Sequence, residues 1–415
     1  MDLSHYFFFA GVALCFFMTW GVGANDLANV MSTTIGSQSV TVKQAVIIAI
    51  VFEFTGAFFG GSGVTETLRD GIITTSQITE PTILIQGMLS VLLACTLWMN
   101  IASFLAVPVS ITNALVGSMV GFGAIVLGPH AIHWGEVARI ALGWVTSPLI
   151  AGFTSYLLFT SIQQTIFVHL DPLQKARQYI PIYLLLIGGL LSFITVFKGL
   201  HHFGIHLKML PNVLIIISCS ILLAMIGLYV IHRIPHQENV RRKERFTLVE
   251  KHFAVLMGLT ACAMVFAHGS NDVSLAVGPL SIIYSLMNPH PYIIGNLYPA
   301  WITLLGCTGV VGGFLMYGKR VIETVGSSIT TLTPSRAFAA TAAASATVVI
   351  ANSTGIPVSA TQTLVGAVLG VGLARGIGAL NLIVIRNIFL SWIVTLPVAS
   401  GLSILTFEIL HFFLP

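Results

Sequence analysis

Charge is what this 415-residue sequence has least of: only 8% of its residues are Asp, Glu, Lys or Arg, whereas a soluble domain carries about 25%. So little charge cannot clothe a water-facing surface. With 56% hydrophobic residues and a mean hydropathy of +0.94, the solvent of this chain is read as lipid. Paired cysteines are missing as well. Cys15, Cys95, Cys219, Cys262 and Cys307 each stand alone in an apolar stretch with no CxxC spacing, which excludes a disulfide framework and a thiolate zinc site. The opening MDLSHYFFFAGVALCFFMTWG has no Lys or Arg ahead of its apolar run, so it is expected to be a retained first span rather than a cleaved signal. The cluster His201, His202 and His206 is expected to be a loop between spans rather than a metal site.

What the sequence does have is long apolar runs. They fall near 5–24, 43–64, 82–107, 109–128, 136–163, 180–200 and 210–231, then 252–268, 298–317, 335–353, 357–374 and 380–413. Each is long enough to cross a hydrocarbon core of ~30 Å as a helix, which satisfies its own backbone hydrogen bonds. Barrel strands would alternate over about ten residues instead. The expected fold is an all-α integral membrane protein of about twelve transmembrane helices or re-entrant hairpins.

Residues 1–231 form the first membrane half, 232–251 a basic linker and 252–415 the second half. The linker holds Arg233, Arg241, Arg242, Lys243, Arg245 and Lys251, six of the eighteen basic residues, and the excess of positive charge on inner loops makes it cytoplasmic. A nucleic-acid role for this run is unneeded. Counting crossings from it puts both termini outside and Lys43, Lys175, Arg177, Lys319, Arg320, Arg336 and Arg375 inside.

The chain repeats itself. GANDLAN at 23–29 returns as GSNDVSL at 269–275, and PVSITNALVGSMVG at 108–121 returns as PVSATQTLVGAVLG at 357–370. The spacing is kept, with 82 positions from Asp26 to Pro108 and 85 from Asp272 to Pro357. The crossing count brings the two copies in from opposite sides, so the expected architecture is an inverted-topology repeat, whose sites lie near the midplane where broken helices meet. Both motifs are expected to be breaks: a glycine with two short polar residues in one, and a proline ahead of a helix start in the other.

Three acids lie deep in apolar runs: Asp26, Glu53 and Asp272. A buried carboxylate costs several kcal/mol, so it faces a cavity and a partner. The bland alternative is pairing with a buried basic residue. The oxygens of Asn25–Asp26 and Asn271–Asp272 suit a hard cation such as Na+, and an acid alone also suits a proton. The hydroxyls of Ser110, Thr112, Ser359 and Thr361, beside exposed helix N-termini, suit an oxyanion. Capping of those helices explains the serines equally well. Asn113 and Gln362 share one repeat position and are expected to donate amide N–H to the same anion. His268 reads as a helix-end partner, and the GxxxG-like spacings as close helix packing.

With GANDLANVMSTTIGS and KQA near the start, FAHGSNDVSLAVGPL at the second copy, RVIETVG, LTPSRAF and GIPVSATQTLVGAVLGVG, the chain resembles the inorganic phosphate transporter family of cation-coupled symporters over nearly its whole length. The resemblance implies functional roles for Asn25, Asp26, Asn29, Glu53, Ser110, Thr112, Asn271, Asp272, Ser359 and Thr361. The chain departs from the family where Asn113 and Gln362 stand for a common histidine, Leu275 for an asparagine, and Thr341 for a glutamate.

The expected activity is symport of inorganic phosphate with Na+ or H+ across an inner or plasma membrane by alternating access, without a cofactor; a homodimer is compatible with it. Ser110, Thr112, Asn113, Ser359, Thr361, Gln362, Asn25 and Asn271 are the substrate-binding candidates. Asp26, Asp272, Asn25, Asn271, Asn29 and Glu53 are the cation candidates. The rivals are a permease for another oxyanion such as sulfate, an uncoupled anion channel, and an intramembrane aspartyl protease. The protease leaves the flanking Asn residues and the duplicated PVS motif without a purpose.

Overall fold

The computed structural model describes residues 3–60, 71–75, 78, 80–194, 209–232, 242–288, 299–354 and 357–413. The histidines at 201, 202 and 206 and residues 233–241 of the basic stretch lie outside the described residues. The protein is an all-α integral membrane protein, and nine helices among the described residues are long and apolar enough to cross a membrane.

The first helix is α1 (Leu3–Val22), which runs through a five-residue π-helical turn (Gly23–Leu27) into α2 (Ala28–Gly36). Then come α3 (Val42–Gly60), α4 (Pro81–Phe104), α5 (Ile111–Val126), α6 (Trp134–Ile162), α7 (Pro172–Ile194) and α8 (Met209–His232). In the second half α9 (Arg242–His268) runs through a matching π turn (Gly269–Val273) into α10 (Ser274–Met287). The order closes with α11 (Ala300–Ser328), α12 (Pro334–Ser353), α13 (Ala360–Ala374) and α14 (Leu382–Phe413). Residues 242–251 of the basic stretch are thus the first turns of α9.

The expectation that GxND breaks its helix is overturned. Val22 and Ala28, on either side of the first π turn, both hold ordinary helical dihedrals, so the apolar run continues as one helix from His5 to Gly36. In lipid a true break would strand backbone N–H and C=O groups, whereas a π turn only widens the helix. The glycine serves a helix crossing instead. A Cβ on Gly23 would collide with the carbonyl oxygen of Val310 in α11, and one on Gly269 with the carbonyl oxygen of Glu53 in α3. Gly313 and Gly56 complete the same two crossings against the carbonyls of Trp20 and Phe266. The duplication is therefore written into the packing, and it pairs Glu53 with Val310.

Of the twelve apolar runs, two pairs take the re-entrant alternative rather than crossing. Ser110 and Ser359 start α5 and α13, and helices of 16 and 15 residues reach only about 24 Å at 1.5 Å per residue. The bases of each pair lie together. His133, after α5, donates its N–H to the Ile72 carbonyl ahead of α4 at 3.0 Å. Asn381, after α13, donates in the same way to Ile329 ahead of α12 at 3.0 Å, and Arg375 reaches Thr330 at 2.9 Å. Pairs α4–α5 and α12–α13 are consequently re-entrant hairpins, closed at the base, whose tips are the PVS motifs. Replacing two crossings by none preserves parity, so every loop keeps the side assigned by its positive charges.

The two halves then interlock. Hairpin helix α5 packs on α14, and its counterpart α13 packs on α6. Gly117 lies against the Leu396 carbonyl and Gly366 against that of Pro148, which is the close packing expected of the GxxxG spacings. The pair α7–α8 lies outside this symmetry, with α7 packed on α9.

Candidate functional site

Both hairpin tips reach the middle of the long helices. Asn25 holds its own half's tip as an amide clamp: its Nδ2 donates to the Val107 carbonyl at 3.0 Å, and its Oδ1 accepts from the Val109 N–H at 3.0 Å. Asp26 next to it joins the two halves. Its Oδ2 accepts the Ile111 N–H at the start of α5 at 3.1 Å, and its Oδ1 accepts the Thr361 hydroxyl at the start of α13 at 2.8 Å. Across from it, the Val358 carbonyl accepts from Asn271 Nδ2 at 2.8 Å and from Thr112 at 3.5 Å. The N-termini of α5 and α13, each with the positive end of its dipole, thus converge on one buried carboxylate. Among the described residues no Lys, Arg or His lies within ion-pair distance of Asp26.

The other two acids are arranged differently. Glu53 Oε1 lies 2.7 Å from His268 Nδ1. His268 Nε2 lies 3.2 Å from Asp272 Oδ2, close enough for an ion pair though not aligned as a hydrogen bond. Asp272 Oδ1 accepts from Asn271 Nδ2 at 2.6 Å. All four side chains are buried. His268 is therefore no helix-end group. It sits inside a continuous helix, four residues before Asp272, and bridges two carboxylates. Its sequence signal was that same i, i+4 spacing, hidden by the expected break at Gly269.

The remaining candidates fall as follows. Ser110 and Ser359 cap α5 and α13, accepting from the N–H groups of Asn113 at 3.4 Å and Gln362 at 3.2 Å. Asn113 Nδ2 points to the Trp392 carbonyl at 3.5 Å rather than waiting as a free donor, and both Asn113 Oδ1 and Gln362 Oε1 have no partner among the described residues. Asn29 is fully buried, with both side-chain polar atoms unpartnered among the described residues. Thr341, flagged in the sequence, shares a hydrogen bond of 2.9 Å with Thr33 across α12 and α2. Asn352, which sequence reasoning passed over, reaches the Ala267 carbonyl at 3.5 Å. The five cysteines are free thiols, as expected.

Two duplicated halves, re-entrant tips meeting inside the bilayer and buried acids at the meeting point define a membrane transporter rather than an enzyme. A model of the phosphate transporter family matches residues 22–403. A protein named as a phosphate permease in Haemophilus influenzae is 45% identical over 401 residues, covering 95% of this chain and 94% of its own length. One so named in Thermococcus kodakarensis is 38% identical over 395 residues, covering 95% of each. A solved structure of a sodium-dependent phosphate transporter matches with a TM-score of 0.89 at 33% identity, covering 99% of this chain and 100% of its own. The chain belongs to the phosphate transporter family.

Proposed function

We propose that this protein moves inorganic phosphate together with Na+ across the cell membrane by alternating access. One observation carries the reading: the N-termini of α5 and α13 converge on Asp26, a buried carboxylate with no basic side chain within ion-pair distance among the described residues. Helix starts with Ser110, Thr112, Ser359 and Thr361 suit the anion, while Asp26 with Asn29 one turn later suits a hard cation. Phosphate and Asp26 repel. Two unit charges 4 Å apart cost about 4 kcal/mol at an effective dielectric constant near 20, roughly a thousandfold in affinity. A sodium ion between them removes that cost, so anion and cation bind together and cross together. The interlocked halves supply the two bodies that rock against each other. The sodium dependence of the matched solved structure supports the choice of ion.

The test is uptake of radiolabelled phosphate into proteoliposomes with Na+ and pH gradients imposed separately. Uptake should follow the Na+ gradient, and arsenate in tenfold excess should compete strongly while sulfate competes weakly. Uptake driven by the pH gradient alone would overturn sodium coupling, and equal inhibition by sulfate would overturn the substrate.

A further inference from the structure

We infer that only the first GxND copy holds a diffusible sodium ion in this chain, and that at the second copy His268 stands in the ion's place as a positioning residue between Glu53 and Asp272. The inference rests on the symport reading above and narrows its sodium site.

Three comparisons between the halves lead there. The matched glycine crossings put Val310 opposite Glu53, and the motif alignment puts Val22 opposite His268. The first half therefore has neither member of the Glu53–His268 pair. One turn beyond the aspartates the difference reverses. Asn29, fully buried with both polar atoms unpartnered among the described residues, stands opposite Leu275, which is buried and offers no ligand atom. Finally, the two aspartates are held by different groups. Asp26 takes only neutral donors, the Ile111 N–H and the Thr361 hydroxyl, one on each oxygen. A carboxylate oxygen has two lone-pair positions, so each keeps one for an ion. Asp272 instead meets His268 Nε2 at 3.2 Å on one oxygen and Asn271 Nδ2 at 2.6 Å on the other.

A sodium ion is held by several converging oxygens. Asp26 and Asn29 offer them from consecutive turns of one helix. At the second copy the imidazole lies between the two acids that would have to converge, and Leu275 offers no oxygen where Asn29 stands in the first copy, which leaves Asn271 Oδ1 as the unpartnered amide oxygen there among the described residues. The repeats thus keep the same scaffold but split the work: the first binds the ion, and the second carries a fixed group that spaces Glu53 from Asp272.

The experiment is binding of 22Na+ to purified wild type and variants, with the 22Na+ to 32P flux ratio measured in proteoliposomes. Asp26→Asn should raise the sodium half-saturation at least tenfold, while Asp272→Asn keeps it within twofold. The variant His268→Gln/Leu275→Asn, which makes the second copy resemble the first, should bind one additional sodium ion per chain and raise the flux ratio by one. Equal weakening of sodium binding by the two Asp→Asn variants overturns the inference, as does an unchanged sodium count in an inserted and folded double variant. If the double variant fails to insert, the comparison of the two single variants decides alone. A wild type that moves phosphate without any sodium stimulation overturns the symport reading and this inference together.

Discussion

Ser110 and Ser359 are structural caps whatever else they touch. Each accepts the N–H of the residue three positions on, which caps a helix that begins inside the bilayer where no water can replace it. Replacing either with alanine leaves that N–H without its partner, at a cost of about 1 kcal/mol. The expected outcome is a modest fall in the thermal midpoint of the purified protein, with weakened apparent phosphate affinity and unchanged sodium affinity. A sodium shift as large as the phosphate shift would show that the caps shape the cation site instead. At this scale the acids were legible in the sequence, because a carboxylate inside an apolar run has few innocent explanations. The histidine that partners two of them was not. Its spacing to Asp272 becomes meaningful only if the helix continues past Gly269, and a glycine followed by two short polar residues reads locally as an end.

At the scale of elements, the glycines of the GxND motifs are contact points rather than hinges. Gly23 and Gly269 let a crossing helix approach until its carbonyl occupies the space of a Cβ. Gly23→Ala forces the α1–α11 crossing apart, and overpacking of this kind costs roughly 1–3 kcal/mol or more. The Gly23→Ala and Gly269→Ala proteins are each expected to lose thermal stability in detergent and to transport poorly. Gly401→Ala, where a Cβ meets nothing within 4 Å, should behave as wild type. If Gly23→Ala were equally harmless, the crossing would be looser than its geometry. The hairpins were half legible. The sequence gives two apolar runs joined by a proline, and 16 residues can be read as a short span or as a returning arm. Contacts between distant segments, Ile72 with His133 and Ile329 with Asn381, decide for the returning arm, and no local pattern announces them.

For the molecule as a whole, the orientation of the halves follows from parity. Between α1 and α9 the described chain crosses by α1–α2, α3, α6, α7 and α8, an odd number, and the α4–α5 hairpin adds none. The second half therefore enters from the opposite side, and the two hairpins open their bases to opposite compartments. Positive charge gives the expected sides: Arg336 and Arg375 flank the base of the second hairpin, so that base is expected on the cytoplasmic side. The first base, with His130 in its exposed turn, is then expected outside. This reading has a direct test that does not depend on transport. Cysteines placed singly at His130 and Gly378, both exposed, should react with a membrane-impermeant maleimide from opposite faces of oriented vesicles. The background needs only Cys219 and Cys262 replaced, since Cys15, Cys95 and Cys307 are buried. Labelling of both positions from one face would require an even number of crossings between the copies. The halves would then be parallel, and the convergence of α5 and α13 on Asp26 would need another explanation.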